Sequence, residues 1–243
     1  MAARSFAFFE RRPLISAVVI FLADLALILI VGAAAKALGA EGMNAGFVAL
    51  CVESVLLVLV LAALRWWRAA GFNRPSEWRE LKLLWVPTGL FVVLPLVVGL
   101  HAVAPATAAY LVVAYALTGF AEEGLYRGVL LRVLGPLGAR RAVLLSAVFF
   151  GASHLVNLMF RSNPFLVFAQ AVGAFSMGVG FGAMRLRTNT IWPLIFLHGS
   201  EDLLLRFTRL PPIPLNVFQS VVMLVYGVYL LRNMRASEPS GVV

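Results

Sequence analysis

The chain has a single cysteine, Cys51, only three histidines, and only Lys36 and Lys82 as lysines in 243 residues. One cysteine excludes an internal disulfide and any metal site built from several thiolates. Its place in an apolar run suits a small packed hydrophobe. Charge is scarce too. Asp, Glu, Lys and Arg make up 13% of the residues, about half the share of roughly 25% found in soluble domains. Repeats, linkers and long polar runs are missing, so neither a soluble domain nor a disordered chain is compatible with the composition. A His-Glu-x-x-His run, the helical signature of many zinc peptidases, is missing as well.

Apolar sequence is abundant. The AVILMFWYC set supplies 62% of the residues, and the mean hydropathy is +0.94. At about 20 residues per membrane span plus short loops, the length holds roughly eight spans. They read as Leu14 to Val31, Ala45 to Leu64, Leu83 to Leu100, Pro105 to Leu134, Ala142 to Phe160, Pro164 to Met184, Ile191 to Phe207 and Leu215 to Leu231. A short interfacial helix, capped near Ser76, is expected before the third. The expected fold is all-α: one polytopic membrane helical bundle over residues 1–236, followed by a disordered tail at 237–243.

The net charge of +9 comes from 20 Lys and Arg against 11 Asp and Glu. These basic residues flank apolar segments and form no patch interleaved with aromatics, so nucleic acid is not an expected partner. With eight spans, one side of the bilayer takes fifteen of them, among them Arg11, Arg12, Arg65, Arg68, Arg140, Arg141 and Arg185. The other side takes four, Lys36, Arg161, Arg206 and Arg209, and Arg127 remains inside the fourth span. The positive-inside rule then puts both termini in the cytoplasm. The expected location is a cytoplasmic membrane, bacterial by its preference for arginine over lysine.

An ionisable group at the centre of a span costs at least about 2.5–3.5 kcal/mol, so each is a functional candidate. The fourth span carries Glu122, Glu123 and Arg127, the fifth His154 and Asn157, and the seventh His198, Glu201 and Asp202. At 1.5 Å per residue, Glu122, His154, His198 and Asp202 fall roughly 12–20 Å from the cytoplasmic ends of their helices, within one layer. Glu123 and Arg127 are i,i+4 neighbours with the acid first, the favourable order for an ion pair. Glu122 is rotated about 100° away and is left to aim elsewhere. His198 and Asp202 share a helix face, as do His154 and Asn157. Gly178 and Gly182 suit close helix packing. Asp24 and Glu53 read as inter-helix contacts outside this set, His101 as interfacial, and Glu201 as a partner for Arg206 or Arg209.

These motifs resemble the CPBP family of intramembrane proteases, which includes CAAX prenyl endopeptidases and bacteriocin-processing and self-immunity proteins. The resemblance rests on Glu-Glu-x-x-x-Arg at 122–127, Phe-x-x-x-His at 150–154 and Phe-x-x-Gly-x-x-x-Gly at 175–182. Trp192-Pro193 followed by His-x-x-x-Asp at 198–202 completes the set. It implies a catalytic core at about 105–208, with Glu122 as general base and His154 holding and polarising a water. It further implies that His198 and Asp202 stabilise an oxyanion, with Glu123, Arg127 and Asn157 supporting the site. Asparagine is expected at position 202 in the prenyl endopeptidases. An ionised aspartate cannot donate a hydrogen bond, so Asp202 either carries a proton or orients His198.

The resulting expectation is an intramembrane endopeptidase without a metal or other cofactor, acting on a peptide or membrane-protein substrate within the lipid bilayer. Three alternatives stand beside it. One is a non-proteolytic scaffold or immunity-like protein that binds a membrane partner. Another is a zinc-dependent protease using Glu122, His154 and His198. The third is a proton-coupled transporter, which would need the paired interrupted spans that this sequence lacks.

Overall fold

Proline punctuates the chain. Its fixed φ and missing amide suit the first turn of a helix, and helices begin at or beside Pro13, Pro105, Pro164, Pro193 and Pro212. The computed structural model describes residues 11–40 and 43–234. The expected tail at 237–243 lies outside them. Eight helical segments run through the described residues. They are α1 (Pro13–Ala37), α2 (Met43–Leu64), α3 (Trp78–Val98), α4 (Pro105–Glu123), α5 (Ala139–Ser153), α6 (Pro164–Thr188), α7 (Trp192–Phe207) and α8 (Pro212–Arg232). The only β feature among the described residues is an isolated antiparallel bridge between Leu100 and Thr208. The fold is all-helical, as the hydropathy implied.

Three helices depart from regular geometry. α3 starts as a 3₁₀ helix at Trp78–Leu84, so the expected interfacial helix opens the third span directly instead of standing apart from it. Its start lies at Glu77–Trp78, with no side-chain cap. Pro87 and Pro95 each remove an amide from the α3 ladder, and a π-helical turn, Gly89–Val93, lies between them. α4 continues through a π-helical stretch, Gly124–Leu130, into Leu131–Leu134. α5 tightens into a 3₁₀ segment, His154–Met159. Wide and tight turns of this kind often mark functional positions in helices. Here both adjoin the sequence-predicted site residues.

Six segments are long and apolar enough to cross a membrane: those containing α1, α2, α3, α5, α6 and α8. α4 and α7 are the exceptions. α4 ends in its paired glutamates, and α7 has 16 residues and carries His198, Glu201 and Asp202. Large apolar side chains such as Val55, Leu59, Val97, Phe168 and Val225 point outward, as lipid contact requires. α7 lies along α4, α6 packs between α5 and α8, α2 packs on α4, and α1 packs on α2 and on the Leu131–Leu134 segment.

Small residues set the distances. A Cβ on Gly199 would lie 2.6 Å from the Tyr115 carbonyl oxygen, and one on Gly119 would lie 2.5 Å from that of Ile195. The backbones of α4 and α7 therefore touch, which is possible only without side chains at those two points. Gly178 and Gly182 do the same for α6 against Ala147 and Val143 of α5, the packing role expected of them. Arg185, expected as a flanking charge, is instead 5% exposed. Its guanidinium donates to the carbonyls of Ala69 and Ala70 and to Asn189. It satisfies backbone oxygens of the turn after α2 and ties that turn to the end of α6.

Candidate active site

The Gly119–Gly199 contact places α7 one turn from the end of α4, and His198 enters the space beside Glu122 and Glu123. Its Nδ1 lies 2.7 Å from Glu123 Oε1. A carboxylate only accepts, so Nδ1 carries the proton and donates it. Nε2 then faces two further carboxyls, Glu122 Oε2 at 3.6 Å and Asp202 Oδ2 at 3.8 Å. His198 itself is 3% exposed.

Glu123 has two partners. Arg127 Nη1 lies 3.0 Å from the same Oε1 that His198 contacts. Both side chains of this i,i+4 pair are buried, as the spacing predicted. The link from Glu123 to His198 was not predicted. Helical spacing reports neighbours within one helix, and this contact crosses from α4 to α7. The Arg127 guanidinium also lies 4.1 Å from the ring centroid of Phe150, a distance at which a cation is attracted to the ring face.

Phe150 is the wedge around which the site is built. It is fully buried and stands edge-to-face to both imidazoles, with centroid distances of 4.9 Å to His154 and 5.8 Å to His198. One turn later, His154 Nδ1 donates to the Phe150 carbonyl at 2.9 Å, which leaves Nε2 free. The 3₁₀ segment starts at His154. No hydrogen bond or ion pair links His154 to Glu122.

A cavity of about 80 Å³ adjoins these groups, with His154, His198, Glu201 and Asp202 in its wall. That is room for several waters. Asn157 does not reach the histidines. Its Nδ2 donates to Gln170 Oε1 at 3.0 Å, and Gln170 forms another part of the wall. Asn157 thus supports the cavity through Gln170.

Two expectations change. Glu201 does not pair with Arg206 or Arg209, both of which are exposed. It lines the cavity beside Asp202. The signal was present in its spacing, since positions 198 and 201 are i,i+3 and share a face with 202 close by. Asp24 is an inter-helix contact as expected, accepting a hydrogen bond from Tyr126 Oη at 3.4 Å. Yet Asp24 and Glu53 both lie within electrostatic reach of Glu122, closer to the site than the sequence suggested. His101 is exposed after α3, outside the site. Among the described residues no group of three His, Cys, Asp or Glu is arranged to hold a metal ion.

Fold and site together define a polytopic helical membrane protein with carboxylates and imidazoles gathered inside the bundle. Residues 102–204 match the family model described as type II CAAX prenyl endopeptidase, Rce1-like. The match covers α4 to α7, the helices that carry the site, and bears out the resemblance to the CPBP family. It supports a CAAX-type intramembrane protease in general, and with it a peptide substrate and a bilayer setting. No curated protein and no solved structure matches the chain.

Proposed function

We propose that this protein is an intramembrane endopeptidase that hydrolyses a peptide bond with a water activated by Glu122 and His154. The observation that carries this reading is the arrangement around His198, with Nδ1 held by Glu123 and Nε2 turned toward Glu122 and Asp202. One imidazole is thereby fixed in a known orientation beside a carboxylate, and Glu122 Oε2 takes no hydrogen bond from the protein. A carboxylate oxygen with an unused lone pair is suited to accept a proton from water.

In this mechanism Glu122 removes a proton from the water while His154 Nε2 helps to hold it. The hydroxide adds to the carbonyl carbon, and the carbonyl oxygen becomes an oxyanion. For His198 to stabilise that oxyanion, Nε2 must carry a proton in addition to Nδ1, and the resulting charge is countered by Glu123. Such a donor is worth roughly 3–4 kcal/mol in a water-poor site. Asp202 supplies the second donor as a neutral acid. The tetrahedral adduct then collapses, and the proton held on Glu122 passes to the departing amine. The product is one acid and one amine, with Glu122 restored.

The test is cleavage of synthetic peptides by the purified protein, with and without a strong chelator. Wild-type protein should cleave in both conditions, whereas Glu122→Gln should cleave in neither. Activity lost to chelator and restored only by zinc would overturn the metal-independent mechanism. A folded wild type that cleaves nothing would favour the scaffold reading.

A further inference from the structure

The cavity beside the site contains groups that the hydrolytic steps leave unused. Glu201 faces it from α7, and Asn216, Gln219 and Ser220 face it from α8. No lysine or arginine lines it among the described residues. The basic residues nearest in sequence, Arg206 and Arg209, are exposed, and neither forms an ion pair with Glu201 or Asp202.

Gln219 points to a ligand. It is 4% exposed on a helix that is otherwise largely apolar. Its Nε2 donates to the Leu90 carbonyl at 3.4 Å, which directs the amide, while its buried Oε1 has no hydrogen-bond partner. A buried acceptor without a donor is unfavourable. The same wall holds Glu201 and Asp202, adjacent carboxyls on α7. Acceptors from two helices therefore meet in one cavity that no lysine or arginine lines among the described residues. Phe91, Met177 and Met223 supply apolar wall around them. A long aliphatic stem ending in a cation matches that combination.

We propose that this cavity is a specificity pocket for a cationic group of the peptide substrate, bound by Glu201 and the Gln219 carbonyl oxygen next to the bond held at His198. This rests on the peptidase reading above and names the substrate class. The cation is an ammonium or guanidinium, from a Lys or Arg side chain or from a free N-terminus. On entering, it pairs with Glu201 as a carboxylate, while Asp202 keeps the proton with which it donates to the oxyanion. The substrate charge then pairs with the Glu201 carboxylate and donates to the unpaired Gln219 oxygen.

The test uses full-length protein in lipid nanodiscs. The probes are 12-residue peptides of Ala, Leu, Ser and Gly with one Lys, Arg, norleucine or Glu moved through each position. Each is made with a free and with an acetylated N-terminus. Cleavage is read in competing pairs by mass spectrometry, and binding is read on the Glu122→Gln protein by fluorescence anisotropy. At one position the Lys or Arg peptide should exceed its norleucine counterpart at least tenfold in both readouts. Glu201→Gln should reduce that ratio below threefold. Gln219→Glu, which adds a carboxylate at the same wall, should raise it, and Gln219→Met should lower it. A preference that survives acetylation assigns the cation to a side chain, and one lost on acetylation assigns it to the N-terminus. Cleavage without charge preference, or a preference unchanged in the Glu201 and Gln219 variants, overturns the pocket and leaves the peptidase intact. Tight binding that depends on Glu201, without cleavage, upholds the pocket and overturns the peptidase reading. No binding and no cleavage overturns the pocket.

Discussion

His198 Nδ1 and Glu123 Oε1 lie 2.7 Å apart, across the contact between α7 and α4. The same carboxylate oxygen lies 3.0 Å from Arg127. One buried glutamate therefore sets the orientation of an imidazole and balances a guanidinium, and its neighbour Glu122 is left facing the other imidazole nitrogen. Adjacent residues on a helix diverge by about 100°, which is how two consecutive glutamates come to do different things.

The two glutamates should separate on mutation. Glu122→Gln preserves shape and is expected to express and melt like the wild type while losing turnover. Glu123→Gln leaves Arg127 buried without its charge partner, a loss of roughly 3–5 kcal/mol for a buried pair, and also weakens the hold on His198. It should be both less stable and less active, read by thermal unfolding in detergent beside a cleavage assay. A stable, inactive Glu123→Gln with a fully active Glu122→Gln would reverse the roles.

Because Glu123 already holds His198, Asp202 need not do so. Asp202→Asn should keep substantial activity, since an amide can donate to the oxyanion in place of a neutral acid. A group that must be protonated loses its function as pH rises through its own titration. The wild type should accordingly lose activity at the alkaline end, and the Asn variant should lack that falling limb. A rate profile with the same limb in both proteins would place Asp202 in an orienting role instead.

Gly199→Ala puts a methyl group within 2.6 Å of the Tyr115 carbonyl oxygen, and backbone cannot yield as a side-chain tip can. Overpacking of this kind costs about 1–3 kcal/mol or more, and α7 must move away from α4. The variant should melt at a lower temperature and lose activity through displacement of His198. An alanine that leaves both unchanged would show that the helices do not touch there.

The basic residues predict that reporter fusions after Arg68, Gly138 and Arg187 report cytoplasm and that fusions after Val103 and Ser162 report the opposite side. α4 and α7 are not among the six segments long and apolar enough to cross a membrane, so this measurement also establishes whether they cross the bilayer. A C-terminal fusion reporting the far side would mean an odd number of crossings.

Much of this was legible in the sequence, because hydropathy and helical spacing are local properties. Eight apolar segments became eight helical segments, since a chain in lipid must satisfy its backbone hydrogen bonds within each segment. The Glu123–Arg127 pair followed from i,i+4 geometry, and the clustering of charges in the fourth and seventh segments marked the site helices. Tertiary structure alone decided what depends on which helix meets which. Glu123 reaches His198 only because Gly119 and Gly199 let two backbones touch. Glu201 lines a cavity together with Asn216, Gln219 and Ser220 of α8 instead of pairing with an arginine. Arg185 turns inward because the turn after α2 leaves carbonyl oxygens beside it. Sequence spacing gives the direction of a side chain around its own helix axis, and the partner it meets is set by contacts between segments far apart in the chain.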